Sequence, residues 1–229
     1  LTHGGDRQLN GLRWSPDGSR IAFSDKSNRV RVALVDGGAL SEVARNPGGG
    51  TGDYSWSPDS AWLAFSMTDP NGLRSLYIWG AADGVLHRVT DELWNETEPV
   101  WDRKGDYLYY FCDREFAPQL FTTLEWNFAV NRTTGLFALA LRKDVAHPFP
   151  PRSDEVTIAK VDDAKKPDDK SDDAAKDAPK KPVAIDFEGL AARATRVPIE
   201  ADNYSGLTCN DGHLFYMRSA ASYYGRDGE

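Results

Sequence analysis

One short phrase recurs along this chain and restricts its fold more than any other feature. Leu12-Arg13-Trp14-Ser15-Pro16-Asp17-Gly18-Ser19-Arg20-Ile21-Ala22-Phe23-Ser24 returns as Tyr54-Ser55-Trp56-Ser57-Pro58-Asp59-Ser60-Ala61-Trp62-Leu63-Ala64-Phe65-Ser66. A third copy runs Pro99-Val100-Trp101-Asp102-Arg103-Lys104-Gly105-Asp106-Tyr107-Leu108-Tyr109-Tyr110-Phe111, and the tryptophans stand 42 and then 45 positions apart. A worn fourth copy, Gly206-Leu207-Thr208-Cys209-Asn210-Asp211-Gly212-His213-Leu214-Phe215-Tyr216, has no Trp and a turn one residue shorter. Self-similarity at a fixed period identifies a repeat architecture in which no unit buries its apolar face alone.

Each copy reads as a hairpin. An apolar strand ends at the Trp, and Ser-Pro-Asp-Gly reverses the chain. Pro presets φ, Asp bonds the backbone two residues on, and Gly accepts positive φ. The strand that follows is rich in Ile, Phe, Leu and Tyr, as buried strands are. Two weaker strands complete the unit: 29–35 and 41–44 around Asp36-Gly37-Gly38, then 75–79 and 86–89 around Ala82-Asp83-Gly84. Four strands per ~40–45 residues is the arithmetic of a β-propeller blade. The expected fold is therefore all-β, a propeller fragment of about three and a half four-stranded blades. It forms one partial domain over 1–229, with blades near 9–45, 54–90 and 98–199 and an incomplete blade at 204–229. Such an open arc has uncovered faces at both ends and needs further blades.

The third repeat is interrupted. An aromatic excursion carrying Phe116, Phe121, Trp126 and Phe128 precedes the apolar run 135–141, and these four are candidate interaction residues. The excursion folds over its own blade, or it contacts another domain or a passing peptide; the sequence leaves both open. Residues 160–181 hold seven Lys and seven Asp and almost nothing apolar. That composition does not offset its own ordering entropy, so a disordered surface insertion is expected. Val183-Ala184-Ile185-Asp186 reads as a strand, 187–193 as one helical turn capped by Asp186, and Thr195-Arg196-Val197 as the blade's outermost strand.

The residues announce no chemistry of their own. Gly-x-Ser-x-Gly does not occur, and His3, His87, His147 and His213 stand singly, without His-Glu-x-x-His or a Cys/His cluster. No catalytic residue, metal or other cofactor is expected. Gly48-Gly49-Gly50-Thr51-Gly52 lacks the Lys-Ser/Thr of a phosphate loop and reads as a flexible connection between blades. Asp17 and Asp59 sit in a repeated turn, and catalysis rarely needs one acid in every blade, so they are assigned to capping that turn. Trp14, Trp56 and Trp101 are assigned to packing blade on blade. Cys112 and Cys209 are far apart and read as buried thiols rather than a disulfide framework. A formal charge of −8 disfavours a nucleic-acid partner. No apolar stretch reaches the ~20 residues of a membrane helix. The N-terminus has neither Met nor a signal-like apolar run, so the chain is expected to begin inside a larger protein.

The repeats alone resemble the broad group of Tol-type and oligopeptidase-type propellers. The third repeat is more specific. Phe121-Thr122-Thr123-Leu124-Glu125-Trp126-Asn127-Phe128-Ala129-Val130-Asn131-Arg132-Thr133-Thr134-Gly135-Leu136 resembles the tricorn-like serine peptidases, as does Pro148-Phe149-Pro150-Pro151-Arg152-Ser153-Asp154-Glu155. So does Ile185-Asp186-Phe187-Glu188-Gly189-Leu190 with Arg193, Pro198, Asn203-Tyr204 and Leu207. The resemblance covers essentially the whole chain. It implies a parent with two propellers followed by catalytic regions flanking a PDZ-like domain, assembled as a hexamer and degrading peptides made upstream. It places this stretch in the second, seven-bladed propeller, whose channel is thought to admit peptides. Its catalytic Ser and His belong to the C-terminal half, so no catalytic residue carries over. The implied partners are the remaining blades and catalytic domains of the parent, peptide substrates and further copies of the chain. A cytoplasmic setting is implied, with periplasmic or secreted settings left open. Two other readings stand beside this one: a protein-binding propeller of Tol type, and the propeller of a prolyl-oligopeptidase-type enzyme.

Overall fold

The computed structural model describes residues 8–220 except 47, 50, 116–118, 121–127, 130–131, 147 and 150–180. Three four-stranded antiparallel sheets follow one another. The first is β1 (Leu9–Trp14), β2 (Arg20–Asp25), β3 (Arg29–Leu34) and β4 (Leu40–Arg45), in that order. The second is β5 (Ser55–Trp56), β6 (Trp62–Thr68), β7 (Arg74–Gly80) and β8 (Leu86–Arg88). The third begins with β9 (Asn95–Trp101) and β10 (Tyr107–Asp113). A small hairpin of β11 (Gln119–Leu120) and β12 (Phe128–Ala129) intervenes, then β13 (Thr134–Ala140) and β14 (Ala194–Arg196) complete the order β14-β13-β10-β9. A two-stranded sheet of β15 (Tyr204–Asn210) and β16 (His213–Arg218) ends the described chain. These are the blades of a β-propeller arc.

The hairpin turns are built by local hydrogen bonds. The Ser15 hydroxyl donates to Asp17 Oδ1 at 2.5 Å and accepts from Arg20 N at 2.9 Å, while Asp17 also accepts from Ser19 N at 3.0 Å. Ser57, Asp59, Ala61 and Trp62 repeat the pattern at 2.6, 3.1 and 2.9 Å. In the third blade, where Asp102 replaces the Ser, its own carboxylate accepts from Asp106 N at 2.7 Å and Tyr107 N at 2.8 Å. Burial works against the Asp17 charge, but bonds from Ser15 and Ser19 and the nearby Arg20 outweigh it and hold the carboxyl at about 2. The left-handed turn position is Gly18 in the first blade and Gly105 in the third (φ 72° and 71°), and Ser60 in the second (φ 64°). Ser60 compensates for that conformation by accepting Asp17 N from the neighbouring turn at 3.1 Å.

Between the sheets lie apolar seams. Ala22, Val30 and Val32 meet Tyr54, Trp56, Leu63, Phe65, Met67 and Trp79 across the first seam; Ala64, Leu76, Ile78 and Val89 meet Leu108, Tyr110 and Cys112 across the second. Trp56 and Trp101 are buried in these seams. Trp14, assigned to the same packing, is 55% exposed in this chain. At the other end Phe215 and Met217 are 53% and 62% exposed, alternating along β16 with Leu214 and Tyr216, which turn toward the third blade.

Two readings of the region after residue 180 need correction. Residues 183–186 form no strand: their backbone groups bond to the turn of the second blade and, through Asp186 N, to Leu141 O at 2.9 Å, rather than to a strand edge. They instead form a strap that crosses to the second blade. Val183 N donates to Asp59 Oδ2 at 2.7 Å, the Trp62 indole donates to Val183 O at 3.1 Å, and Phe187 stacks on His87 at 3.7 Å between centroids. The helical turn shrinks to a 3-10 segment, Ala191–Arg193, preceded by Leu190 with no side-chain cap; the Asp186 carboxylate accepts Lys143 N instead. Arg193 fastens the strap by donating to the carbonyls of Ala140, Leu141, Asp186 and Glu188. The aromatic and charged insertions, including Phe116, Phe121, Trp126 and residues 160–180, lie outside the described residues, and Phe128 is placed only by its backbone pairing with Leu120.

The tryptophan packing gives a graded expectation. Trp56→Ala and Trp101→Ala should each lower stability by about 3–5 kcal/mol, whereas Trp14→Ala should cost no more than about 0.5 kcal/mol in this chain. Denaturant unfolding of the three variants beside the unsubstituted chain checks the order.

Candidate functional site: the inner wall

In each blade the strand ending at the Trp position is a sheet edge, and β9 lies directly beside β5 on one flank and β15 on the other. Together these edges line a concavity of about 520 Å³. Its residues are Arg13 and Trp14 from β1 with Pro16 beyond them, 52–56 leading into and forming β5, 98–100 from β9, and 206–208 from β15. One surface is thus assembled from equivalent positions of four blades.

Side-chain bonds run around this wall from blade to blade. The Trp56 indole donates to Arg13 O at 3.2 Å, and the Trp101 indole repeats this on Ser55 O at 3.0 Å. Cys209 holds the fourth position, so no indole reaches Val100 from there. Glu98 spans that junction instead, with Oε2 accepting Leu207 N at 2.8 Å while its own N donates to Asp53 Oδ2 at 3.0 Å. Asp53 also accepts Ser66 N at 3.1 Å and the Ser66 hydroxyl at 2.6 Å.

Three of the four edge strands, β1, β9 and β15, carry a bulge at this level. The left-handed residue is Gly11, Glu98 and Gly206 respectively (φ 65°, 53° and 68°). At Gly206 an added Cβ would lie 2.7 Å from Met217 Cε, which excludes a side chain without displacement. Glu98 adopts a conformation that costs a non-glycine residue roughly 1–2 kcal/mol, and its bond to Leu207 offsets it. The sequence reading missed Asp53 and Glu98. The available signal was an acid three residues before the Trp in the second and third repeats, where Gly stands in the other two.

The wall's two carboxylates are committed to backbone N–H groups of neighbouring strands. The turn serines bond Asp17 and Asp59, the His87 ring stacks on Phe187, and His213 Nδ1 lies 2.8 Å from Asp211 O. Among the described residues no three His, Cys, Asp or Glu side chains converge as metal ligands. Asp17 and Asp59 sit in the turns, where they bond the turn serines, and Asp59 also holds the strap; Trp14 and Trp56 line the wall.

Behind the wall, in the second seam, Glu96 is 1% exposed. Burial raises its pKa, and the partial relief from Thr90, Arg114 and Cys112 does not cancel that. Burial, reinforced by Glu96, likewise pushes the Cys112 thiol up to about 12, so it stays protonated and unreactive.

The fold and this wall define a class: a propeller whose inner strands line a common concavity. Within that class the chain belongs to the tricorn protease second beta propeller domain family, whose sequence pattern matches residues 1–229. Over 207 residues it is 27% identical to Tricorn protease homolog 1 of Streptomyces coelicolor, covering 90% of this chain and 19% of that protein. Over 143 residues it is 24% identical to the tricorn protease of Thermoplasma volcanium, covering 60% and 14%. The chain therefore spans less than a fifth of the length of these relatives. The crystal structure of the tricorn protease superposes with a TM-score of 0.68 at 14% identity, covering 89% of this chain and 18% of that one, a likeness of fold.

Two outcomes follow from the wall and the seam. Glu98→Ala should cost about 1–3 kcal/mol by leaving Leu207 N unpaired, and Glu98→Gly should recover about 1 kcal/mol of it by relieving the left-handed Cβ. Glu96 holds its proton in the folded state above the pH at which the unfolded chain releases it. Stability should therefore fall as pH rises from the ordinary carboxylate range toward the raised value. Glu96→Gln should flatten that slope, as pH-dependent thermal melts will show.

Proposed function

We propose that this chain is a noncatalytic part of the second propeller of a tricorn-like serine peptidase, and that its inner wall guides or gates peptides toward a catalytic centre outside the chain. The observation that carries the proposal is the single concavity lined by edge strands of four blades. Its carboxylates tie blades together, which leaves the wall suited to contact and passage rather than bond cleavage. Catalysis by a hydroxyl needs a base within hydrogen-bond reach and donors aimed at a developing oxyanion, and the turn serines are bonded to carboxylates without a histidine beside them. Further blades of the parent would cover Trp14 at one end and Phe215 and Met217 at the other. Hexameric assembly and peptide substrates enter this reading through the family.

The test uses the intact parent with Thr208→Cys in a Cys209→Ser background, modified by a bulky thiol reagent. Thr208 is exposed and lines the concavity. The adduct should slow cleavage of long peptides more than that of short fluorogenic ones, and this chain alone should cleave neither. Full-speed cleavage of long peptides by the modified parent would refute the gating role. Turnover by the isolated chain near the parent's rate would refute the noncatalytic assignment.

A further inference from the structure

The second seam, between the second and third blades, carries two polar atoms that its apolar packing does not explain. Glu96 and Tyr110 are 1% and 0% exposed, and among the described residues neither Glu96 Oε2 nor the Tyr110 hydroxyl has a partner at hydrogen-bond distance; the Thr90 hydroxyl, which accepts Leu76 N at 2.9 Å, relieves Glu96 only in part. They share a face. Glu96 pairs across the strands with Cys112, and Tyr110 lies two positions along from Cys112, so all three side chains point toward the second blade.

Both groups are fixed in place. The other carboxylate oxygen, Glu96 Oε1, is held by Arg114 at 3.3 Å and by the Cys112 thiol at 3.7 Å. Arg114 is itself seated over the Phe137 ring at 4.4 Å, with Trp94 near it at 5.8 Å. The Tyr110 ring stacks on the same Phe137, centroids 5.7 Å apart. Neither polar head can swing to another partner without breaking these contacts. A buried acceptor or hydroxyl left without a bond carries its full desolvation penalty, and native interiors relieve such groups with water that makes two to four bonds.

We propose that the seam between the second and third blades binds one internal water molecule, held by Glu96 Oε2 and the Tyr110 hydroxyl. The carboxylate oxygen accepts one of its protons, and the hydroxyl serves as its second partner. Glu96, Tyr110 and the water then form one polar island enclosed by Leu76, Ile78 and Val89 of the second blade.

The sign of one conservative substitution tests this. Tyr110→Phe keeps the ring and its stacking on Phe137 and deletes only the hydroxyl. If the hydroxyl holds a water, its loss removes a bond, and amide exchange across β9 and β10 of the intact protein should quicken. If the hydroxyl is dry and unpaired, its loss removes a penalty, and exchange should slow or stay unchanged. A crystal structure of the intact protein fine enough to place waters should show one density peak within hydrogen-bond distance of both atoms. A missing peak, or slower or unchanged exchange in Tyr110→Phe, each overturns the proposal.

Discussion

An indole N–H reaching across a blade boundary to a main-chain carbonyl organises this arc. Trp56 reaches Arg13 O and Trp101 reaches Ser55 O, so each bond ends on the residue before the preceding Trp position. The same residue type thus serves twice, filling the seam with its ring and setting the radial level of its neighbour with its one polar atom. A ring alone would tolerate sliding between sheets. A directed bond to a backbone atom fixes the offset, and the inner edges then come to one level and share one wall. Where the series breaks at Cys209, Glu98 takes over the junction from the opposite blade, and Arg103 meets Asp211 at 2.7 Å above it.

Much of this was legible in the sequence because the chemistry responsible is local. The turn motif acts within six residues: Ser, Asp and the left-handed position make their bonds to one another and to the strand that begins there. Period and composition then give blade and seam. The strap was not legible for the opposite reason. Residues 183–186 look like a strand by composition, yet their partners, Asp59 and Trp62, lie more than a hundred positions back. A propensity read in isolation could not show that their backbone bonds would go to the turn of another blade. Trp14 has the same motif and turn as Trp56, yet it is 55% exposed where Trp56 is buried.

The acids divide along the same line. Asp17 and Asp59 could be assigned to their turns because they recur. Asp53 and Glu98 differ from each other and from the glycines at equivalent positions, so no repeat advertised them, and their roles appear only when the strands lie side by side. Glu96 is further still from legibility: an ordinary surface residue type in a strand, made unusual by the seam it falls into.

The strap has a consequence for how the chain reaches this arrangement. In a simple array each unit touches only its neighbours in sequence, and order can spread outward from any one of them. Here Val183 is bound to Asp59 across 124 positions and to Trp62 across 121, so the β5–β6 turn of the second blade is finished by residues that follow most of the third. Closing so wide a loop adds an entropic barrier that local hairpins do not have, and contacts of high sequence separation slow folding. The second and third blades are therefore tied by a closure that no local hairpin supplies.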